Sequence, residues 1–234
     1  MRLSACHWLA CLLCLAAPAV CAQTYLPLGP GCFWQYAGDV GDAFTRTVTG
    51  TMDMAGEAVS VLAYTGYAPD EGLKQYFSAD VGGHVLFWGF FLEPEGWGYL
   101  YVPPLLVVDA PLATGQRWSV VAEIFSIPDN LPAGSFVAER VVLGEGLETV
   151  PAGEYFAYAI TWEFRSDAGR RSASRGCDPT GRRLVPGRDF PAAEYWTAGV
   201  GIIREATTQT WRLTDFDGPT ATLARGWGDI KALY

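Results

Sequence analysis

The sequence predicts an all-β fold, either a single-domain antiparallel β-sandwich or a strongly curved, partly closed β-barrel of about a dozen strands. Three observations predict it. Short apolar runs recur about every 10 residues, separated by turns dense in Gly, Pro or Asp. Several of these runs alternate with period two. No 11-residue window carries an apolar stripe of 3.6-residue period with helix caps. Composition points the same way. The 234 residues are 50% hydrophobic and 14% aromatic against 18% charged, which excludes a disordered chain. With 27 Gly and 15 Pro a helical bundle is disfavoured. The net charge of −9 leaves no basic footprint, so no nucleic-acid partner is expected.

The first 22 residues stand apart. Arg2 is followed by an apolar run from Ala5 to Val20, and Val20-Cys21-Ala22 supplies small or apolar residues before Gln23. This is the layout of a cleaved secretory signal peptide, Met1–Ala22, which predicts a periplasmic or secreted protein. Lipidation at Cys21 is the lesser reading, because Pro18-Ala19-Val20 is a poor lipid-attachment signal. No later stretch reaches about 18 uninterrupted apolar residues, so no transmembrane segment is expected in residues 23–234, which are read as one all-β domain. Loss of the leader removes one cation, taking the charge from −9 to −10, and four of the six cysteines. Cys32 and Cys177 remain. An exported chain with two thiols is expected to pair them, closing a long loop worth about 5 kcal/mol in the chain-entropy model.

The strands follow in order. Phe44–Met52 alternates strictly, with Thr45, Thr47, Thr49 and Thr51 on one face and Phe44, Val48 and Met52 on the other. Ala58–Tyr67 and Leu73–Ala79 come next. His84–Leu92 is nearly all apolar, as expected of a strand buried on both faces. Pro94–Gly98 turns the chain into Tyr99–Val102, and Pro103-Pro104 reads as a strand break. Trp118–Ile127, Phe136–Leu143, Tyr155–Arg165, Arg170–Arg175, Gly201–Thr207 and Thr210–Phe216 complete the set, with Asp167-Ala168-Gly169 as a tight hairpin turn. Pro132-Ala133-Gly134 recurs as Pro151-Ala152-Gly153, and the two read as neighbouring hairpin turns.

Several segments carry a resemblance: Tyr25–Gly31 with Phe33-Trp34-Gln35-Tyr36, Gly115–Trp118, Gly146–Tyr155, and Tyr195-Trp196 with Gly199–Glu205. In these pieces and their order the chain resembles exported all-β bacterial proteins of the DUF3108-like type, and its shape is expected to be similar to that of periplasmic lipid carriers of the LolA kind. The resemblance implies export and fold, and carries over no catalytic residue.

Candidate chemistry is sparse. His84 is the one histidine outside the leader, so a Ser-His-Asp triad or a His-based metal site lacks partners; no metal and no cofactor is expected. Glu93 and Glu95 flank Pro94 beside Trp97 and form the nearest approach to a paired-carboxylate hydrolase. Seven arginines lie between 165 and 189 against Asp167, Asp178 and Asp189, a local charge of +4. Of these, Arg170, Arg171, Arg175, Arg182 and Arg183 suit an anionic ligand through guanidinium contacts. Trp97, in a Gly-rich turn, is the ring expected to stand exposed, whereas Trp88, Trp118 and Trp162 are expected in the core. The sequence therefore reads as a non-catalytic exported protein that binds an apolar or amphiphilic ligand, or a lipid, glycan or protein of the cell envelope. The alternatives are an assembly protein that docks through a sheet edge or the Arg-rich hairpin, and a carbohydrate-active hydrolase using Glu93 and Glu95.

Overall fold

The computed structural model describes residues 24–66, 71–164, 191–207 and 209–218. Twelve strands run β1 Phe33–Gly38, β2 Ala43–Met54, β3 Glu57–Thr65, β4 Leu73–Ala79, β5 Val85–Leu92, β6 Trp97–Val108, β7 Arg117–Ile127, β8 Pro132–Val150, β9 Gly153–Phe164, β10 Ala193–Thr197, β11 Gly201–Ala206 and β12 Thr210–Asp217. Each pairs antiparallel with its sequence neighbours, and β1 pairs with β12, so the sheet closes into a barrel. Of the two architectures expected from sequence, the barrel is the one formed, and it is closed completely.

Closure fixes an inside and an outside. On β7, Trp118, Val120, Ala122 and Ile124 are buried while Arg117, Ser119, Val121 and Glu123 are exposed. This period-two alternation turns one set of side chains into the barrel and the other away from it. Twelve strands enclose more width than aliphatic side chains can span. Large rings fill it: Trp34, Tyr36, Tyr99 and Trp196 are each 2% exposed or less. Phe44 stacks on Tyr36 at 4.8 Å and on Tyr64 at 5.6 Å, and meets Trp211 edge-on at 4.8 Å.

The sheet bends at irregularities such as Phe87/Gly89 and Val142/Gly144, where an extra residue increases curvature. At the first, β5 and β6 approach so closely that a Cβ on Gly89 or Gly98 would sit 2.1 Å from a carbonyl oxygen of the facing strand. Only glycine fits.

Residues 24–31 pack against one end of the barrel. Thr24 O accepts from Gly199 N–H at 2.7 Å, and the Tyr25 ring meets Tyr158 of β9. Leu28 O accepts from the Ser60 hydroxyl of β3. Trp34 and Tyr36 on β1 donate to Val200 O and Ile202 O, tying the same end to β11.

Several expectations change. Pro103-Pro104 do not break a strand; β6 continues through them to Val108. Pro132-Ala133-Gly134 lies within the 19-residue β8, and only Pro151-Ala152 is a hairpin turn. β5 is not buried on both faces, since Leu86, Trp88 and Phe91 keep partial exposure on the side opposite Phe87. β10 was not foreseen as a strand. Residues 1–22, Cys21, Cys177, the turn Asp167–Gly169, the Arg170–Arg175 strand and the arginines from 165 to 188 all lie outside the described residues.

The buried rings have a measurable consequence. Burial raises the Tyr36 and Tyr101 phenols far above the ordinary value of 10.0, with Arg46 partly opposing it at Tyr36. A raised folded-state pKa means that the native state holds these protons more tightly than the unfolded chain does. Stability is therefore intact below about pH 10 and falls as pH rises above it. In an alkaline titration followed at 295 nm, these two phenols should ionise only together with the loss of near-ultraviolet circular dichroism; ionisation of all phenols ahead of unfolding would contradict the burial.

Candidate functional site

Two ion pairs sit inside the barrel. Arg46 of β2 donates from Nη2 to Glu205 Oε2 of β11 at 2.7 Å. Its guanidinium lies 4.9 to 5.2 Å from the ring centroids of Tyr64, Tyr36 and Phe44. Arg140 of β8, wholly buried, donates from Nε and Nη2 to Val107 O at 3.2 and 3.1 Å, and from Nη2 to Glu194 Oε2. It packs 4.1 Å from the centroid of the Trp162 ring. Trp196 Nε1 donates to the same Glu194 oxygen at 3.0 Å. Period-two alternation turns Arg46, Arg140, Glu194 and Glu205 inward, among residues that are otherwise aromatic.

Glu194 and Glu205 face each other across the β10–β11 ladder. Two carboxylates side by side in an apolar interior repel and lose hydration, so each requires a cation. Arg46 and Arg140 supply one from either side, and the cluster is neutral. Burial lowers the Arg140 pKa, against the opposing pull of Glu194. The set ties β2 to β11 and β8 to β10 across the interior.

The outer wall carries a depression of about 260 Å³ on β8, β9 and β10, lined by Gly144, Gly146, Glu148, Ala157, Ala159 and Tyr195, with Glu145 and Leu147 at its edge. Register builds its floor. Gly144 pairs with Ala159 and Gly146 with Ala157, and Ala159 in turn pairs with Tyr195. The floor is thus four small residues beside one ring. The Arg204 guanidinium lies 4.6 Å from the Tyr195 centroid and is bound to Glu148 across the depression. A Cβ added at Gly144 or Gly146 would meet nothing within 4 Å. Neither glycine is demanded by a turn or by a crowding neighbour, although glycine weakens a strand. Their effect is to leave peptide backbone open at the base of a concave surface with an aromatic wall and a charged pair.

The residues singled out from sequence are scattered. Glu93 is bound to Lys74, and Glu95 accepts from Trp97 Nε1, so the two acids are engaged separately on an exposed turn. Trp97 does not stand free: its ring packs edge-on against Phe90 and Tyr99, 5.7 and 5.6 Å away. Trp118 is buried as expected, whereas Trp88 and Trp162 are only partly so. Cys32 is a buried free thiol at the head of β1, so the expected pairing with Cys177, which lies outside the described residues, is not seen. His84 faces two carboxylates on the surface. Gly146, Glu148, Tyr195 and Arg204 had been visible only as parts of turn and aromatic patterns; the signal that would have found the depression is the pair Gly144 and Gly146 inside an otherwise strand-forming run.

No family model matches the chain, and no curated protein does. The DUF3108-like label therefore gains no support from these comparisons. Among solved structures, a Bacteroides fragilis protein described as exported, with a YmcC-like fold, is 12% identical, covering 83% of this chain and 99% of its own with a TM-score of 0.45. A Parabacteroides distasonis protein described as a lipoprotein is 13% identical, with 84% and 99% covered and a TM-score of 0.38.

The interior pairs yield a stability prediction. Glu194→Gln leaves Arg140 buried without its counter-charge and is expected to cost about 3–5 kcal/mol. The double variant Arg140→Met with Glu194→Leu should recover most of that loss. Urea unfolding of the three proteins measures it, and a single variant indistinguishable from the parent would show that the pair is not buried as described.

Proposed function

We propose that the protein is an exported, non-catalytic binding module that takes one saccharide unit of an envelope glycan in the depression on β8–β10. The observation that carries this reading is the concave floor of open glycine backbone beside the Tyr195 ring and the Glu148–Arg204 pair. A sugar ring has an apolar face and a rim of hydroxyls. An aromatic ring suits the first, and a carboxylate with a guanidinium suits the second. A volume near 260 Å³ is below the usual range for drug-sized ligands and fits a small group. Export rests on the leader-like Met1–Ala22. The carrier reading, with an apolar ligand inside the barrel, loses ground because the described interior positions are filled by rings. Docking through a sheet edge loses its element, because every strand has two neighbours.

The test uses the openness of the floor. Gly146→Val places a β-branched side chain into free space, so the fold should be kept or stabilised by about 0.5–1 kcal/mol. The depression is filled at the same time. With protein labelled with 15N at glycine, titration by a panel of bacterial polysaccharide fragments should shift the Gly144 and Gly146 amides in the parent, and the variant should bind at least tenfold more weakly. A panel that shifts neither amide, or equal binding by Gly146→Val, would overturn the reading.

Export also carries the pairing of Cys32 with Cys177. Alkylation of the mature protein should label neither cysteine until a reductant is added, and labelling of both without reductant would refute the disulfide.

A further inference from the structure

His84 lies in the connection between β4 and β5, and both of its ring nitrogens face carboxylates. Nδ1 is 2.9 and 3.1 Å from the Asp80 oxygens, and Nε2 is 3.3 Å from Asp109 Oδ1, just beyond β6. A neutral imidazole carries one N–H, so one of its nitrogens would turn a lone pair toward an anion. The imidazolium hydrogen-bonds Asp80 through Nδ1 and ion-pairs with Asp109 across 3.3 Å from Nε2. Asp80 remains an anion: burial acts to raise its pKa, but hydrogen bonds from the His84 backbone and ring and from Gly82 more than offset this and hold it below the usual carboxylate value.

Asp109 passes the contact on. Its backbone oxygen and Oδ2 accept from Gln116 Nε2 at 2.7 and 3.3 Å, and Gln116 Oε1 accepts from Ala113 N. The 109–116 connection is then fastened to β8, with Gly115 N–H donating to Val142 O and Val142 N–H to Gln116 O, both at 2.9 Å. Val142 is the residue at which β8 becomes irregular before Gly144, where the floor of the depression begins.

We propose that protonation of His84 latches the 109–116 connection onto β8 and so tightens the glycine-floored depression, making saccharide binding stronger in acid; this rests on the depression being the binding site. The groups facing the imidazole among the described residues are Asp80 from the β4–β5 turn and Asp109 from the end of β6. Without its proton the imidazole no longer pairs electrostatically with both carboxylates, and the connection loosens.

Hydrogen-exchange protection of the Gly115 and Val142 amides at pH 5.5 and pH 8, in the whole mature protein, reads the latch without a ligand. Several-fold greater protection at pH 5.5 is expected, and that difference should vanish in His84→Gln and in Asp109→Asn, the second serving if the first folds poorly. Equal protection of the parent at both pH values, or an unchanged difference in both variants, overturns the latch. Affinity for the best polysaccharide fragment should fall several-fold from pH 5.5 to 8 in the parent and stay level in the variants; protection that switches while affinity does not would overturn the coupling. Protection that switches in a protein binding no saccharide at either pH would leave the latch standing and sink the saccharide reading instead.

Discussion

The antiparallel pairing of β1 with β12 is the constraint on which the rest depends. Once that ladder closes, every side chain on every strand points either into the barrel or away from it. A ring of twelve strands must then be filled, and Trp, Tyr and Phe fill it together with Val, Leu and Ile. The same closure explains the inward charges. Glu194 and Glu205 are opposed across one rung of the β10–β11 ladder, so an interior that admits them must also admit Arg46 and Arg140.

This pairing bears on specificity more than on stability. Replacing a buried ion pair by well-packed apolar groups is often neutral or favourable, whereas orphaning one member is costly. A one-residue slip of β10 against β11 would turn Glu194 outward and leave Arg140 alone among rings. The pairs therefore penalise wrong registers in a meander whose strands are otherwise similar. Arg140 Nη1 and Arg46 Nε have no acceptor among the described residues, so the arrangement satisfies the charges without saturating every donor.

Much of this was legible in the sequence, and the parts that were not share a cause. Strand positions followed from period-two alternation and Gly/Pro punctuation: Leu73–Ala79 matches β4 as read, and Phe44–Met52, Trp118–Ile127 and Thr210–Phe216 lie within observed strands. Alternation is a local signal. It said nothing of Arg46 meeting Glu205, 159 residues away, or of Arg140 meeting Glu194, 54 residues away. Pro103-Pro104 misled because a proline costs a ladder bond only where that bond exists; the β6–β7 register ends at Val102, so these two prolines sit beside a stretch of β6 that β7 does not pair. Trp97 misled because a Gly-rich turn suggested exposure, whereas it opens β6, two residues before Tyr99, and meets Phe90 of the neighbouring β5. The depression was missed because the strand was read as ending at Leu143, and only the pairing with Ala157 and Ala159 shows that Gly144 and Gly146 continue it in the sheet.

The location of a binding surface follows from the same geometry. Among the described residues the interior carries large rings and two paired charges, so the proposed saccharide contact is sought on the outer wall. There most positions carry side chains that stand above the sheet, which makes a wall of a barrel convex. Concavity on such a wall requires side chains to be absent. Glycine provides that absence at a cost in strand propensity, a cost that β8 bears twice within three residues with no crowding neighbour to require it. The proposal of a binding surface rests on that local weakness, which the fold does not need, lying between a tyrosine ring and an ion pair.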